Sequence, residues 1–274
     1  MSGIKQLQNL LIMSKNQTPS VVVIGSGNVA EAVARGVAES WSLELRQIVA
    51  RNAERAAQIA TLTNTEFTDN FDEVEQADFY IIAVSDRAVE EVAAQIRRPA
   101  DSIIVHTAGS IEMDALGEGL RGVLYPFQTF TAGRRVEFSD VPLFVEGCNH
   151  DVEERISELA QALSSRVYRA NSRRRREIHL TGVLACNFVN SLYSMAADLL
   201  QEREGLPFDV LRPLILETAH KAAEAQHPRN VQTGPAVRGD KAVAERHMAM
   251  LEDEKQREIY NLLTDYIWQT SRKI

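Results

Sequence analysis

Val21-Val22-Val23-Ile24-Gly25-Ser26-Gly27-Asn28-Val29-Ala30 is an apolar run that breaks at two glycines and resumes with helical spacing at Val29, Ala30, Val33, Ala34 and Val37. A strand buried on both faces is continuous Val/Ile, while the segment after it repeats with a helical period, so the stretch reads as strand, tight turn and helix. Gly25-x-Gly27-x-x-Ala30 in that context fits the fingerprint in which backbone N–H groups at a helix N-terminus approach the pyrophosphate of a dinucleotide. Gly25, Ser26, Gly27, Asn28 and Val29 are the expected pyrophosphate contacts. A glycine turn kept only for close packing accounts for Ala30 but not for both glycines, and S-adenosylmethionine is the lesser rival ligand.

Outward from this turn the pattern alternates. Residues 44–50, 65–68, 79–84 and 102–106 read as strands, with helices at 52–60 and 88–96; later strands are expected at 122–125, 142–146 and 166–168, with a helix at 152–163. Strands alternating with helices imply an α/β, doubly wound, mostly parallel Rossmann sheet over residues 20–169. Strand signals then stop. Residues 178–201, 210–226 and 241–273 carry helical periodicity, so residues 170–274 are expected to form an all-helical domain for substrate binding and dimerisation. Residues 226–240, rich in Pro, Gly and polar side chains, are long for a helix connection and make a candidate functional loop.

The 274 residues carry a formal charge of −8, with 45% hydrophobic and 25% charged residues, an ordinary globular composition with no basic footprint for nucleic acid. Cys148 and Cys186 lie far apart without metal-ligand spacing, which fits a reducing cytoplasm and no metal. The apolar patch at residues 10–13 is too short to span a membrane. Since Met13 could itself be a start, residues 1–19 are expected to be a loose extension.

An acidic residue about 20 positions past the glycines commonly holds the ribose 2′-hydroxyl of NAD. Here Val49-Ala50-Arg51-Asn52 carries none. A guanidinium pairs bidentately with a 2′-phosphate, so Arg51, helped by Asn52, points to NADP, with NADPH preferred over NADH; Asn52 also suits a helix N-cap. Ligands in open α/β sheets bind beyond the carboxyl ends of the strands, which places Ala83, Val84 and Ser85, and Thr107 and Ala108, beside the nicotinamide. His106 is either a strand-end histidine satisfied by hydrogen bonds or a proton donor.

The motifs His106-Thr107-Ala108-Gly109-Ser110, Tyr125-Pro126-Phe127-Gln128-Thr129-Phe130, Ile178-His179-Leu180 through Cys186-Asn187-Phe188, and Thr233-Gly234-Pro235-Ala236-Val237-Arg238-Gly239-Asp240, with the glycine turn, resemble a bacterial family of NADP-dependent oxidoreductases. That family joins a Rossmann-like domain to a helical domain of the 6-phosphogluconate dehydrogenase C-terminal-like type. The resemblance runs from about Ser20 through nearly the whole chain and implies that fold, NADP and a homodimer through the helical domain. More distantly the layout is similar to pyrroline-5-carboxylate reductase, ketopantoate reductase and 3-hydroxyisobutyrate dehydrogenase, which bind substrate between the two domains. The hydroxyacid enzymes use a Lys-x-x-x-Asn pair on the first long helix; Asn187 matches the asparagine, but Val183 stands at the lysine. Tyr125 replaces the family's usual histidine before proline. Resemblance to pyrroline-5-carboxylate reductase implies that Thr233 and Arg238 hold a substrate carboxylate.

His179, Val183 and Asn187 recur every four residues and so share a helix face. His179 is the candidate proton donor and Asn187 the candidate orienting group, the alternative for His179 being helix packing. In the Arg173–Arg176 run, solvated by default, Arg176 lies three residues before His179 and is the candidate for an anionic substrate. Thr233, Arg238 and Asp240 provide a donor, a cation and an acceptor for a small polar site, unless Asp240 only caps the last helix. His247 and Met248 read as core or interface. The dense apolar faces of the long helices favour a homodimer. The expected function is hydride transfer between NADP and a small carbonyl or imine substrate, a carboxylate by preference. The rival, which the missing lysine keeps open, is a non-catalytic NADP-binding sensor.

Overall fold

The computed structural model describes residues 18–271. Of the expected extension, residues 1–17 lie outside the described residues.

The strands β1 (Ser20–Ile24), β2 (Glu44–Val49), β3 (Glu66–Thr68), β4 (Phe79–Ile82), β5 (Ile103–His106), β6 (Arg121–Pro126), β7 (Leu143–Gly147) and β8 (Val167–Arg169) form one eight-stranded sheet in the order β3-β2-β1-β4-β5-β6-β7-β8. Every pairing is parallel except β6 with β7. β1 is buried throughout, as its continuous Val/Ile demands, because helices cover both faces of the sheet. Helix α1 (Asn28–Glu39) buries Ala30, Val33, Ala34 and Val37, the stripe its spacing announces. Helix α2 (Ala53–Thr63) follows β2, α3 (Val89–Ala93) follows β4, and α4 (His150–Gln161) connects β7 to β8. The chain leaves β1 toward β2 on one side and β4 on the other. At that reversal the carboxyl ends of β1 and β4 open a crevice, the usual ligand position in such sheets.

The chain divides into two compact units after Asn190, inside a long helical segment rather than at the expected boundary of residue 169/170. The segment runs through α5 (Ser172–Gly182), a π-helical turn (Val183–Asn187) and α6 (Phe188–Glu204). Its first part goes with the sheet because Arg175, fully buried, ion-pairs with Glu146 on β7, an attachment that helical periodicity does not reveal. By length and composition Ser172–Glu204 could cross a membrane. Leu180, Leu184 and Phe188 on it are all more than half exposed.

The second unit is helical: α7 (Arg212–Glu224), α8 (Lys241–Met250) and α9 (Glu254–Ser271) follow α6. The expected loop at 226–240 is largely ordered into turns, a 3₁₀ turn at Pro228–Val231 and a single helical turn at Pro235–Arg238. The latter ends at Gly239 in the left-handed region, where a Cβ would lie 2.5 Å from the Trp268 ring.

Candidate functional site

Within the first unit, a cavity of about 780 Å³ opens at the carboxyl ends of β1, β2 and β4. Gly25, Ser26, Gly27, Asn28, Val29, Arg51, Asn52, Ala83, Val84 and Ser85 line it together with His179 and Asn187. Thr107 and Ala108 do not. The Thr107 N–H and hydroxyl both donate to the Ile82 carbonyl, and the Ala108 N–H donates to Nδ1 of His106.

One end of the cavity lies at the glycine turn and the N-terminus of α1. Gly25 has φ +134°, and a Cβ on it would lie 2.2 Å from the Ala83 carbonyl oxygen, so only glycine lets the turn pass beneath the end of β4. At Gly27 an added Cβ would meet nothing within 4 Å. That open space lies at the N-terminus of α1, where no side chain caps the helix and the dipole favours negative charge. The Asn28 amide donates to the Phe130 carbonyl at 3.0 Å, tying the helix start to the segment after β6. Arg51, just past β2, is exposed and ion-pairs with Glu91 on α3. Such an exposed pair is weak in water. Asn52 caps α2, its side chain accepting from the Arg55 N–H at 3.0 Å.

The other end is aromatic and holds a hydrogen-bonded pair. Tyr125, next to the end of β6, places its hydroxyl 3.0 Å from Nδ1 of His179 on α5. Two glycines allow this approach. A Cβ at Gly109 would lie 2.6 Å from Nδ1 of His179, and one at Gly182 would lie 2.8 Å from the Phe127 ring. Val183, Ala185, Cys186 and Asn187, all from the π-helical turn, complete this wall. In that turn the Phe188 N–H reaches back to the Val183 carbonyl, one residue beyond the α-helical partner, and such bulges recur at functional sites. Val183, which the resemblance to the hydroxyacid enzymes sets at their lysine, lines the cavity.

Behind this wall lies a buried ionic cluster. Arg175 donates to the Glu146 carboxylate, the Ile111 carbonyl and the Ser172 hydroxyl, and Ser172 donates to Glu146 through both its N–H and its hydroxyl. Burial, and then the Arg175 charge, hold His106 down to about 4 against a smaller upward pull from Asp86. It is neutral at pH 7 and only half satisfied, since its Nε2 has no partner among the described residues. Burial pushes Tyr125 up to about 12, with Arg175 pulling down and Asp86 pushing up, so the phenol keeps its proton at neutral pH.

His106 makes stability depend on pH. Its folded pKa is depressed, so between about 6.5 and 4 the unfolded chain binds more protons and stability falls as pH falls. The loss from this residue reaches roughly 2 kcal/mol at pH 5. Urea midpoints should decline from pH 7 to pH 4.5, and His106→Gln should remove this share of the slope.

Of the arginine run it is Arg175, not Arg176, that turns inward. Arg176 is half exposed, ion-pairs with Glu112 and does not line the cavity. In the second unit, Thr233 precedes the single helical turn and Arg238 is its last residue, and Asp240 caps α8, its side chain accepting from the Val243 N–H at 3.2 Å. Sequence reasoning missed Tyr125 as a site residue and Arg175 as a buried one. For Tyr125 the signal was present, a proton-bearing side chain where the resembling family has histidine; a run of four arginines gives no sign of which one is buried.

Residues 20–109 match the family model described as NADP oxidoreductase, coenzyme F420-dependent, and residues 141–267 match a domain of unknown function, DUF2520. The chain is 36% identical to a candidate NADP oxidoreductase from Bacteroides fragilis, with a TM-score of 0.82, covering 92% of this chain and 98% of that one. It shares its fold with 1-pyrroline-5-carboxylate reductase from Streptococcus pyogenes, at 14% identity and TM-score 0.59, covering 93% and 99% of the two chains. The same holds for an imine reductase from Myxococcus stipitatus solved with NADP+, at 13% identity and TM-score 0.55, covering 93% of each. No curated protein matches the chain.

Proposed function

This chain belongs to the family of the Bacteroides fragilis candidate NADP oxidoreductase, and from that membership we propose that it is an NADPH-dependent reductase of a small carbonyl or imine substrate. The observation that carries the proposal is one cavity with a glycine cradle and an arginine at one end and a hydrogen-bonded Tyr125–His179 pair at the other.

Gly25, Gly27 and the N-terminus of α1 would hold the pyrophosphate, and Arg51 the 2′-phosphate, exchanging Glu91 for it. When bound, the dihydronicotinamide supplies a hydride. The chain's own residues do the rest. Phe127, Val183 and Ala185 exclude water from the reacting end, Asn187 orients the substrate's polar atom, and the Tyr125–His179 pair provides the proton that must accompany the hydride. Oxo acids and cyclic imines are the compounds to try.

Titration with NADPH and NADH, followed by nicotinamide fluorescence, tests the cofactor assignment. NADPH should bind at least about tenfold tighter, since hydrogen bonds to charged groups contribute about 1.5–3 kcal/mol. Arg51→Ala should weaken NADPH about 10- to 100-fold and leave NADH unchanged on the same grounds. Equal losses for both cofactors would remove the 2′-phosphate from Arg51.

We further propose that the apolar face carrying Leu180, Leu184 and Phe188 is covered by a second copy of the chain, because so much exposed apolar surface is unusual on a monomer. Light scattering at micromolar concentration should give a particle larger than the 30.6 kDa of one chain. A monomer would refute this.

A further inference from the structure

Resting on that reductase reading, we propose that Tyr125 is the catalytic acid that gives the substrate its proton, and that His179 is a positioning residue that returns a proton to it. The Tyr125 hydroxyl lies 3.0 Å from Nδ1 of His179, and both side chains line the cavity. The other side chains on that wall serve the role less well. Val183 carries no proton to give, the Asn187 and Gln128 amides do not ionise near neutral pH, and no base is hydrogen-bonded to Cys186 among the described interactions. His106 and Arg175 stand behind the wall rather than on it.

The surroundings fix the phenol in place. Phe127 and Phe144 pack against its ring with centroids 6.2 and 6.3 Å away, and the His179 ring meets it edge-on at 6.0 Å. Gly109 lets the segment after β5 close on the pair without a side chain between them. Such confinement keeps donor and relay within hydrogen-bond reach before substrate arrives.

The charges nearby suit an acid that must become an anion for part of each cycle. Arg175 sits one helical turn before His179 on α5 and pulls the phenol's proton affinity down; Asp86, after β4, opposes it, and Glu146 on β7 offsets part of the arginine charge. Burial outweighs both in the resting protein, so the proton stays on oxygen until a substrate atom can take it.

The atoms balance as follows. Hydride adds to the carbon of C=O or C=N, the Tyr125 O–H bond breaks, and its proton goes to the substrate oxygen or nitrogen. The phenolate oxygen then takes the proton on Nδ1 of His179, and the ring takes one from water. Substrate is reduced by two electrons, the cofactor is oxidised by two, and one proton per turnover comes from solvent.

The test uses the full chain with NADPH and a panel of cyclic imines and 2-oxo acids. Tyr125→Phe, which removes one oxygen, should keep its melting temperature and NADPH affinity and lose about 100-fold or more in kcat, the usual scale for a lost general acid. His179→Ala should lose less, and added imidazole should restore part of its kcat. In protein with ¹⁵N-labelled histidine, Tyr125→Phe should shift the ring signals of His179. Wild-type turnover that Tyr125→Phe leaves unchanged overturns the acid and spares the reductase reading, as does a His179→Ala loss exceeding that of Tyr125→Phe. Unshifted His179 signals overturn the pair. NADPH binding without turnover of any panel member by the wild type overturns the reductase reading and the acid with it.

Discussion

Gly27→Ala should fold and melt like the parent protein yet bind NADPH about 10- to 100-fold more weakly, while Gly25→Ala should melt roughly 10 °C lower. The difference lies in what an added methyl group meets. At Gly27 it enters open space, and the residue's φ of −80° suits alanine, so the protein alone pays almost nothing. A phosphate oxygen approaching the α1 amides would have to share that space, and losing one or two charge-assisted hydrogen bonds costs about 1.5–3 kcal/mol each. At Gly25 the methyl group would lie 2.2 Å from the Ala83 carbonyl oxygen, with φ at +134°, where L side chains are strained. Strained backbone and overpacking together cost about 3 kcal/mol or more. Thermal melts and fluorescence titrations on the two variants separate the effects. Undiminished NADPH binding by Gly27→Ala would move the pyrophosphate away from this turn.

Removing the Arg175 guanidinium should be the most destabilising single change in the helical segment. Arg175→Met is expected to lower stability by about 3–5 kcal/mol, because it strands the Glu146 carboxylate among buried groups. Glu146 keeps the Ser172 N–H and hydroxyl as donors, which compensates only in part. Combining Arg175→Met with Glu146→Gln should recover some of the loss, since an amide at that position carries no uncompensated charge. Urea unfolding of the two variants measures this directly. A silent Arg175→Met would mean that the pair does not anchor α5 to the sheet.

Much of the architecture was legible from local pattern. Strands β1 to β8 fall within a few residues of their expected positions, because a parallel strand covered on both faces must be apolar along its length and the intervening helices must carry one apolar stripe. The glycine turn was legible for the same reason. Gly25 stands where backbone geometry leaves no alternative, and Gly27 opens α1 two residues later, so both are read from residues adjacent in the chain. Arg51, singled out as a cation just past β2, does line the cavity.

The reacting end was less so. His179, Val183 and Asn187 were placed on one face by spacing, and all three line the cavity, but the π-helical turn that carries Val183 through Asn187 leaves no periodic signature. Thr107 and Ala108 follow a strand that ends at the crevice, yet neither lines the cavity; Thr107 is tied to the Ile82 carbonyl of the neighbouring strand and Ala108 to the His106 ring. In the run Arg173 to Arg176 four identical side chains were indistinguishable until the partner carboxylates had positions: Glu146 on β7 for Arg175, Glu112 for Arg176.

Sequence by itself determined the doubly wound sheet and the glycine turn between β1 and α1, because each depends on residues adjacent in the chain whose backbone geometry and burial pattern are locally constrained. Only the tertiary structure decided that Tyr125 meets His179, that Gly109 makes room for them, and that Arg175 lies buried behind the pair. Gly109 and Tyr125 lie far in sequence from the α5 residues they meet, Tyr125 54 positions from His179, and that proximity comes from strand order and helix docking, which no local periodicity encodes.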